Sequence, residues 1–190
     1  MMEKMANIDD VQDYIDQNYW ALENNVILID EFLQNAKEVD VDVLRDNQGN
    51  TMIAGIMEHI EEAGIHSGDS ACSIPPFSLN DKTISDIKKF SISLVNELKI
   101  LGLMNIQYAI KDDEIFILEA NPRASRTIPF LAKAIGIPFI KIAAELIVGK
   151  TLTKEYQNFD NNTLPYFAIK EAGFPFNKFP NSDLLLGPEM

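Results

Sequence analysis

Two strand pairs, each joined by a short polar turn, most strongly limit the folds open to this 190-residue chain. In the first pair, valines alternate with acidic residues over 36–45, the cluster 46–50 (DNQGN) forms a turn, and 51–60 continues as a strand. Alternation on both sides of a Gly-containing turn is typical of a β-hairpin. The second pair, 104–110 and 114–120, is joined by three polar residues. The pattern predicts mainly antiparallel pairing.

Helices are expected between and after the strand pairs. Apolar residues recur every three or four positions from Ile84 to Leu101, which predicts an amphipathic helix with Asn80 as N-cap and Gly102 at its end. Two shorter helices follow the second pair, each with a proline near its start and a glycine at its end. This order predicts an α+β fold, a mostly antiparallel sheet flanked by helices.

Three further segments complete the prediction. Residues 8–19 are expected to form a short acidic helix that is solvated and begins near Asn7 or Asp9. The apolar run Val26–Phe32 is expected to be a strand. Residues 61–80 are rich in Gly, Ser and Pro, which predicts a long loop of the kind that often carries function. Aromatic residues outside these segments are expected to be packing anchors: Trp20, Phe174, Phe176 and Phe179.

Composition excludes several classes of protein. Sixteen Lys and Arg against 29 Asp and Glu give a net charge of −13, which argues against a nucleic-acid partner. No apolar run approaches the ~20 residues of a membrane span, and the N-terminus has no apolar signal segment. The lone Cys72 cannot form an internal disulfide; it is expected to be a small buried apolar residue in a reducing cytoplasm.

The second strand pair carries the clearest chemical pattern. If its strands are neighbours, Gln107, Glu119 and Asn121 share one face and can converge. Carboxylate and amide oxygens suit Mg²⁺, and Arg123 and Arg126, which follow directly, could stabilise a phosphoryl group. The structural alternative is an ordinary polar strand end in contact with water.

Two other segments permit a ligand without requiring one. The glycines and hydroxyls around His66 and Ser67 would allow a phosphate to approach the backbone, but an ordinary surface loop has the same composition. Main-chain groups near Phe32 together with Glu38 could hold a purine and a ribose. On that segment alone the favoured interpretation is an edge strand whose charges prevent association.

Three stretches taken together carry a family resemblance: IMEHIEEAGIHSGDSACSIPPFSL (56–79), GLMNIQYAIKDDEIFILEANPRASRTIPFLAKAIGIPFIKIAAELIVGKTL (102–152) and FPFNKFPNSDLLLGPEM (174–190). From about residue 25 onward the chain resembles the large chain of carbamoyl phosphate synthetase, in the second, carbamate-phosphorylating ATP-grasp half. The resemblance implies an ATP-grasp C-terminal subdomain at 26–152. It also implies a remnant of the lid subdomain at 1–25 and a connector at 153–190 toward an allosteric domain.

The resemblance also implies roles for individual residues. The strand-end cluster would hold Mg²⁺, or Mn²⁺, against ATP, and the two arginines would face the transferred phosphoryl group. The implied metal ligands are Gln107, Glu119 and Asn121, and the implied catalytic residues are Arg123 and Arg126. The implied nucleotide contacts are the backbone of Glu31 and Leu33 for adenine, Glu38 for ribose, and His66, Ser67, Gln107 and Glu119.

The activity implied for the whole enzyme is synthesis of carbamoyl phosphate from bicarbonate, glutamine-derived ammonia and two ATP. The implied partners are the rest of the large chain, a glutaminase small subunit and small-molecule substrates. Because no glycine-rich triphosphate loop is present, we expect the isolated chain to be inactive. Because it would expose surface that the lid and neighbouring parts of the enzyme cover, we also expect it to self-associate.

Other functions stay open at this stage. Another ATP-grasp ligase, such as a biotin-dependent carboxylase or an amino-acid ligase, would share the Gln…Glu-x-Asn-x-Arg pattern without the HSGDSACS stretch or the C-terminal tail. A non-catalytic nucleotide-binding module would have less reason to keep all three metal ligands and both arginines. A metal-dependent hydrolase would need a water-activating base near Glu119, and the sequence suggests none.

Overall fold

A computed structural model describes residues 4–22, 25–159, 164–179 and 184–187. The helices are α1 (Ile8–Gln17), α2 (Tyr19–Leu22), α3 (Asp81–Glu97), α4 (Ile128–Ile135), α5 (Phe139–Ile147) and α6 (Lys154–Gln157). The strands are β1 (Lys37–Arg45), β2 (Thr51–Glu62), β3 (Cys72–Ile74), β4 (Gly102–Lys111), β5 (Glu114–Asn121) and β6 (Ala168–Lys170). A single 3₁₀ turn, Phe176–Lys178, follows β6 in the described tail.

The strands form one sheet in the order β5-β4-β1-β2-β3-β6, and every neighbouring pair is antiparallel. Both predicted strand pairs are present as hairpins, β1–β2 and β4–β5. The turn after β1 is stabilised by Asp46, whose carboxylate accepts hydrogen bonds from the backbone N–H groups of Gln48 and Asn50 at 2.9 Å. The predicted α+β fold with a mostly antiparallel sheet is therefore confirmed.

Helices cover both faces of the sheet. On one face, α3 packs Ile87 and Val95 against the row of valines on β1. On the other face, α4 and α5 pack against β2 and the end of β1 at Leu44. Gly55 on β2 lets α4 approach closely, because a Cβ at this position would lie 2.5 Å from a methyl carbon of Leu131.

Capping residues lie at the starts and ends of the helices largely as predicted. Asn7 accepts from two backbone N–H groups at the start of α1, and Asn80 accepts from Thr83 at the start of α3. Gly136 ends α4 in the left-handed region at φ 81°. Gly102 does not end α3 as predicted, because the helix stops at Glu97 and Gly102 is instead the first residue of β4.

Other local predictions fail where tertiary contacts are needed to define the element. The run Val26–Phe32 is not a strand; within the described chain it has no ladder partner and its apolar side chains are largely exposed. The loop 61–80 contains β3, and the tail contributes β6. Each of these strands has three residues, which is too short to show a period of two.

The exposure of individual side chains shows which of the remaining predictions are confirmed and which are wrong. Cys72 is fully buried, as expected, and the acidic helix α1 buries no side chain. Trp20 is not a packing anchor, since it is 80% exposed. Phe174 and Phe179 are also exposed; Phe174 stacks on the half-buried Phe176 with ring centroids 5.4 Å apart. Phe174 and Phe176 thus contact each other, and none of the three phenylalanines belongs to either hydrophobic core of the described chain.

The edge-strand interpretation of β1 is wrong, because β1 lies in the centre of the sheet between β4 and β2. Its acidic side chains, Glu38, Asp40 and Asp42, are buried. They lie on the same sheet face as Leu44, beyond the part that α4 and α5 cover. Burying three carboxylates costs free energy unless hydrogen-bond donors surround them. This face of the sheet is therefore the first candidate for a functional site. No helix in the described parts of the chain is long and apolar enough to span a bilayer.

Candidate functional site

A cleft of about 780 Å³ lies over the open part of this face. Strands β1, β4 and β5 form its floor, and its walls come from loop 64–69, loop 123–127 and the tail segment 170–174. The structure thus brings together residues from three distant parts of the chain. The following sequence-predicted residues line the cleft: Glu38, His66, Ser67, Gln107, Glu119, Arg123 and Arg126.

The β4–β5 register aligns the predicted metal-binding residues. Gln107 lies directly opposite Glu119, and Asn105 lies opposite Asn121. The side-chain amide of Asn121 donates to Glu119 Oε1 at 2.7 Å. A bulge directly after Gln107 shifts the register of the next pair. One carboxylate and two amides therefore meet at one place on the sheet.

The two arginines lie on the loop between β5 and α4. Both side chains are exposed and line the cleft, and Arg123 Nη1 donates to the carbonyl of Ala124 at 3.1 Å. The loop is tied to the sheet at Ser125, whose hydroxyl donates to Asp42 Oδ2 at 2.8 Å. Thr127 reaches the same oxygen at 3.3 Å. These two bonds set the position of the loop, and so of the arginines on it, relative to the floor.

The loop 64–70 forms the opposite wall and is closed by its own hydrogen bonds. His66 Nδ1 accepts from the backbone N–H of Gly68 at 2.9 Å, and the carbonyl of His66 accepts from Asp69 and Ser70. Ser67 Oγ accepts from Gln107 Nε2 at 3.1 Å, which joins the loop to the predicted metal ligands on β4 and β5. His66 and Ser67 therefore line the cleft, and their predicted contact with a nucleotide stays a prediction.

The residues expected at adenine occupy a different place. Glu31 and Leu33 do not line the cleft; Glu31 is exposed and Leu33 is half-buried beside the start of β1. Phe32 lies over the backbone of Gly64, since a Cβ at Gly64 would be 3.4 Å from its ring. The segment therefore touches the cleft loop through Phe32. Glu38, by contrast, lies in the cleft.

Sequence reasoning missed a buried network under the cleft. His59 on β2 lies between Glu38 and Asp40, with Nε2 3.2 Å from Asp40 Oδ2 and Nδ1 3.7 Å from Glu38 Oε1. Asn105 Nδ2 donates to Asp42 Oδ1 at 3.3 Å. The available signal was the acid–valine alternation on β1, but it identifies a buried acidic row only once the strand is known to be central.

The network shifts two carboxyl groups away from their ordinary ionisation. Burial raises the pKa of Glu38 from 4.5 to about 7, with His59 opposing the shift and the charge of Asp40 adding to it. Burial also raises the pKa of Asp42 from 3.8 to about 7, against the hydrogen bond from Ser125. Perturbed carboxyl groups beside a cleft are typical of functional sites, although structural networks produce them too.

Some polar atoms in this region have no hydrogen-bond partner among the described residues. They are Asp40 Oδ1, His59 Nδ1 and Ser70 Oγ, all buried. Within the same described residues, no cluster of three or more His, Cys, Asp or Glu side chains is placed to hold a metal ion. A metal in the cleft would therefore depend on amide oxygens and on the ligand's own oxygens as well as on a carboxylate.

Comparison with known proteins identifies the family. The family model for the carbamoyl-phosphate synthase L chain, ATP binding domain, matches residues 3–155. The carbamoyl phosphate synthase large chain of Xanthomonas axonopodis is 47% identical over 195 residues, covering all of this chain and 18% of that protein. The large chain of Archaeoglobus fulgidus is 50% identical over 189 residues, covering all of this chain and 17% of that protein. The large chain of Nostoc is 54% identical over 170 residues, covering 86% of this chain and 15% of that protein.

Solved structures support the fold. A biotin carboxylase–βγ-ATP complex from Campylobacter jejuni matches with a TM-score of 0.63 at 15% identity, over 78% of this chain and 33% of that one. The biotin carboxylase domain of the Hydrogenobacter thermophilus 2-oxoglutarate carboxylase matches with a TM-score of 0.63 at 14% identity, over 85% of this chain and 35% of that one. At such identities the likeness concerns the fold alone, which is that of an ATP-grasp C-terminal subdomain.

The relatives are much longer than this chain, which spans 15% to 18% of those three large chains. The family match covers most of the chain, from residue 3 to residue 155, and includes the strands and loops that form most of the cleft. The chain therefore belongs to the carbamoyl-phosphate synthase large-chain family, as a part of its ATP-binding domain.

Proposed function

We propose that this chain carries the metal- and nucleotide-binding half of a carbamate-phosphorylating site. The observation that supports the proposal most is the direct pairing of Gln107 with Glu119, with Asn121 bonded to Glu119. The pairing faces a cleft that also contains Arg123 and Arg126. In such a site ATP would be bound by the floor and the loop 64–70, and carbamate would take its γ-phosphoryl group.

The donor set fits Mg²⁺. Glu119 offers a carboxylate, and Gln107 and Asn121 offer amide oxygens, while nucleotide phosphates and water would complete an octahedral shell. Gln107 and Glu119 line the cleft, whereas the half-buried Asn121 lies beside it and is bonded to Glu119. When bound, the ion would neutralise charge on the β- and γ-phosphates. Mn²⁺ prefers similar oxygen ligands and is the alternative ion.

The protein's own contribution to phosphoryl transfer is positioning and charge stabilisation. The guanidinium groups of Arg123 and Arg126 would bind the oxygens of the transferred group, on which negative charge is spread. Glu38, on the cleft floor, would bind the ribose hydroxyls, and His66 and Ser67 would line the nucleotide. Main-chain groups at Glu31 and Leu33 would meet the adenine edge if the nucleotide extends along Phe32 toward β1.

We extend the proposal to the organisation of the chain. Residues 26–152 would form the C-terminal subdomain, 1–25 a remnant of the lid, and 153–190 a connector to a regulatory domain. The stretch Met57-Glu58-His59-Ile60 and the tail favour the second ATP-grasp half over the first. The other half, the lid and a glutaminase subunit would be the partners, and the cytoplasm would be the compartment.

Exposed apolar surface supports the proposal that the rest of the large chain covers this one. The N-terminal segment exposes side chains that seldom remain in water as a group. Their exposed fractions are 80% for Trp20, 99% for Val26, 81% for Leu28 and 67% for Ile29. Because the lid would supply the remaining phosphate contacts, the isolated chain would make no carbamoyl phosphate.

An ATP-grasp ligase of another kind is the second candidate. The two solved structures compared above are biotin carboxylases, and one is in complex with MgADP and bicarbonate. The sequence identities separate the candidates, because they are 46–54% to carbamoyl phosphate synthases and 14–15% to the biotin carboxylases. The carbamate-phosphorylating assignment is therefore favoured.

Calorimetric titration of the chain with ADP tests the proposal. ADP should bind more tightly with Mg²⁺ than in EDTA, and Glu119→Ala should abolish that difference. Glu114→Ala, at the exposed start of the same strand, is the matched control and should retain it. Equal Mg²⁺ dependence in Glu119→Ala, or no binding by the unmodified chain, would contradict the proposal that this chain carries the site.

A further inference from the structure

A lysine in the tail reaches the cleft from outside the matched ATP-binding domain. Lys170 is the last residue of β6, where it pairs with Cys72 on β3. Its half-buried ammonium group lines the cleft and donates to the carbonyl oxygen of Ser67 at 3.2 Å. The family match ends at residue 155, so this contact lies beyond it.

Ser67 passes this contact on to the metal-binding cluster. Its hydroxyl accepts from Gln107 Nε2 at 3.1 Å, while its carbonyl accepts from Lys170. A glutamine amide has one end that donates and one that accepts. Because Nε2 is bonded to Ser67, Oε1 is the end left for a cation beside Glu119, directly opposite.

We propose that Lys170 is a positioning residue of the metal site. It holds Ser67 in place, and Ser67 in turn holds the amide of Gln107 with its oxygen toward the metal. The inference rests on the proposed function, because Gln107 must be a metal ligand for its orientation to matter. Partners of metal ligands commonly fix ligand orientation in this way.

The sheet explains why the tail can serve this purpose. In the described sheet β6 is an edge strand that pairs with β3, and this pairing places the backbone of Lys170 next to the loop 64–70. A second contact joins the same loop to the tail, since the backbone N–H of His66 donates to the carbonyl of Gly187 at 2.7 Å. The described part of the tail therefore contacts the loop at two points, and at one of them the contact is made by the side chain of Lys170, which lines the cleft.

A structural role alone would have different consequences. If Lys170 only attached the tail, its removal would loosen β6 without changing the Gln107 side chain or the contribution of metal to ADP binding. If it positions Gln107, removal would change both. An arginine would largely restore both, because it keeps a charged donor of similar reach.

The test compares Lys170→Met, Lys170→Arg and Lys178→Met, the last being an exposed lysine of the same tail. The first readout is the side-chain amide resonances of Gln107 in the ligand-free chain, assigned by their loss in Gln107→Glu. We expect these resonances to shift in Lys170→Met and in Ser67→Ala. We expect them to stay unchanged in Lys178→Met and to return toward their original positions in Lys170→Arg.

The second readout is ADP affinity with and without Mg²⁺. Lys170→Met should weaken Mg·ADP binding by about tenfold, the lower end of the effect of removing a direct partner of a metal ligand, because Lys170 acts through Ser67. It should leave metal-free ADP binding unchanged. Unshifted Gln107 amide resonances in Lys170→Met would overturn the inference. So would equal weakening with and without metal. If the unmodified chain binds no Mg·ADP, the proposed function fails, and the amide resonances still decide whether Lys170 orients Gln107.

Discussion

Asp42 on the central strand accepts a hydrogen bond from Ser125 at 2.8 Å, across 83 residues of sequence. The bond joins the buried floor of the cleft to the loop that carries Arg123 and Arg126. A buried carboxylate alone is unfavourable, but the hydrogen bonds of Asp42 help to hold the loop with these two exposed arginines in place.

We predict that Asp42→Ala destabilises the chain by about 1–3 kcal/mol, because it removes the buried acceptor that Ser125, Thr127 and Asn105 share. Asp42→Asn should cost less, since the hydroxyls can turn to accept from its amide. Urea unfolding measures both. Asp86→Ala, which removes an ion pair with the largely exposed Lys89, is the control and should change stability by less than about 0.5 kcal/mol.

Stability should fall as the pH rises from about 4 toward 7. The pKa of Asp42 is about 7 in the folded chain against 3.8 ordinarily, so the folded state holds a proton in this range that the unfolded state has lost. The free energy of unfolding then decreases with pH, by up to about 1.4 kcal/mol per pH unit for each such group. Glu38, with its pKa raised to about 7, acts in the same direction.

Denaturant unfolding at several pH values between 4 and 8 measures this slope, and Asp42→Asn should reduce it. An unchanged slope in Asp42→Asn would mean that Asp42 ionises in the folded chain as an ordinary carboxyl group does. Well above pH 7 these two groups should contribute no further slope, because both are then deprotonated in the folded and in the unfolded state.

Gly55→Ala should destabilise the fold by about 1–3 kcal/mol, because the new methyl group would lie within 3 Å of Leu131 on α4 and force the helix away. Gly173→Ala is the matched control, since nothing lies within 4 Å of a Cβ there. In a Leu131→Ala background the penalty of Gly55→Ala should shrink. Equal penalties in both backgrounds would show that the helix is not seated on Gly55.

The exposed apolar segment should make the isolated chain self-associate. Sedimentation over a range of concentrations measures this. Replacing Val26 and Leu28, 99% and 81% exposed, by serine should shift the chain toward monomer. A double replacement of the exposed Lys82 and Lys89 by serine on α3 is the control and should leave the association constant unchanged. Monomeric behaviour of the unmodified chain at high concentration would contradict the prediction.

Local patterns were sufficient for the two hairpins and for α3. Their periods extend over many residues, and their turns and caps are adjacent in sequence. The same reasoning placed Gln107 and Glu119 on one face, because a tight turn between neighbouring strands sets their register.

Non-local contacts account for what the patterns did not reveal. That β1 is central depends on β4 pairing beside it from more than 50 residues away, so the burial of Asp40 and Asp42 could not be predicted. His59 meets Asp40 only through β1–β2 pairing. The three-residue strands β3 and β6 form only because the rest of the sheet is already in place, and with β6 comes Lys170.

In the proposed site, a divalent cation bound with ADP lies between Gln107 and Glu119. The most direct measurement is paramagnetic broadening of side-chain amide resonances by Mn²⁺·ADP in the isotopically labelled chain. We predict that the side-chain amide resonances of Gln107 and Asn121 broaden first. Those of Gln48 and Asn50, about 20 Å away at the other end of β1, should remain sharp. Broadening of the Gln48 or Asn50 resonances at a lower Mn²⁺·ADP concentration than those of Gln107 would contradict this location of the cation.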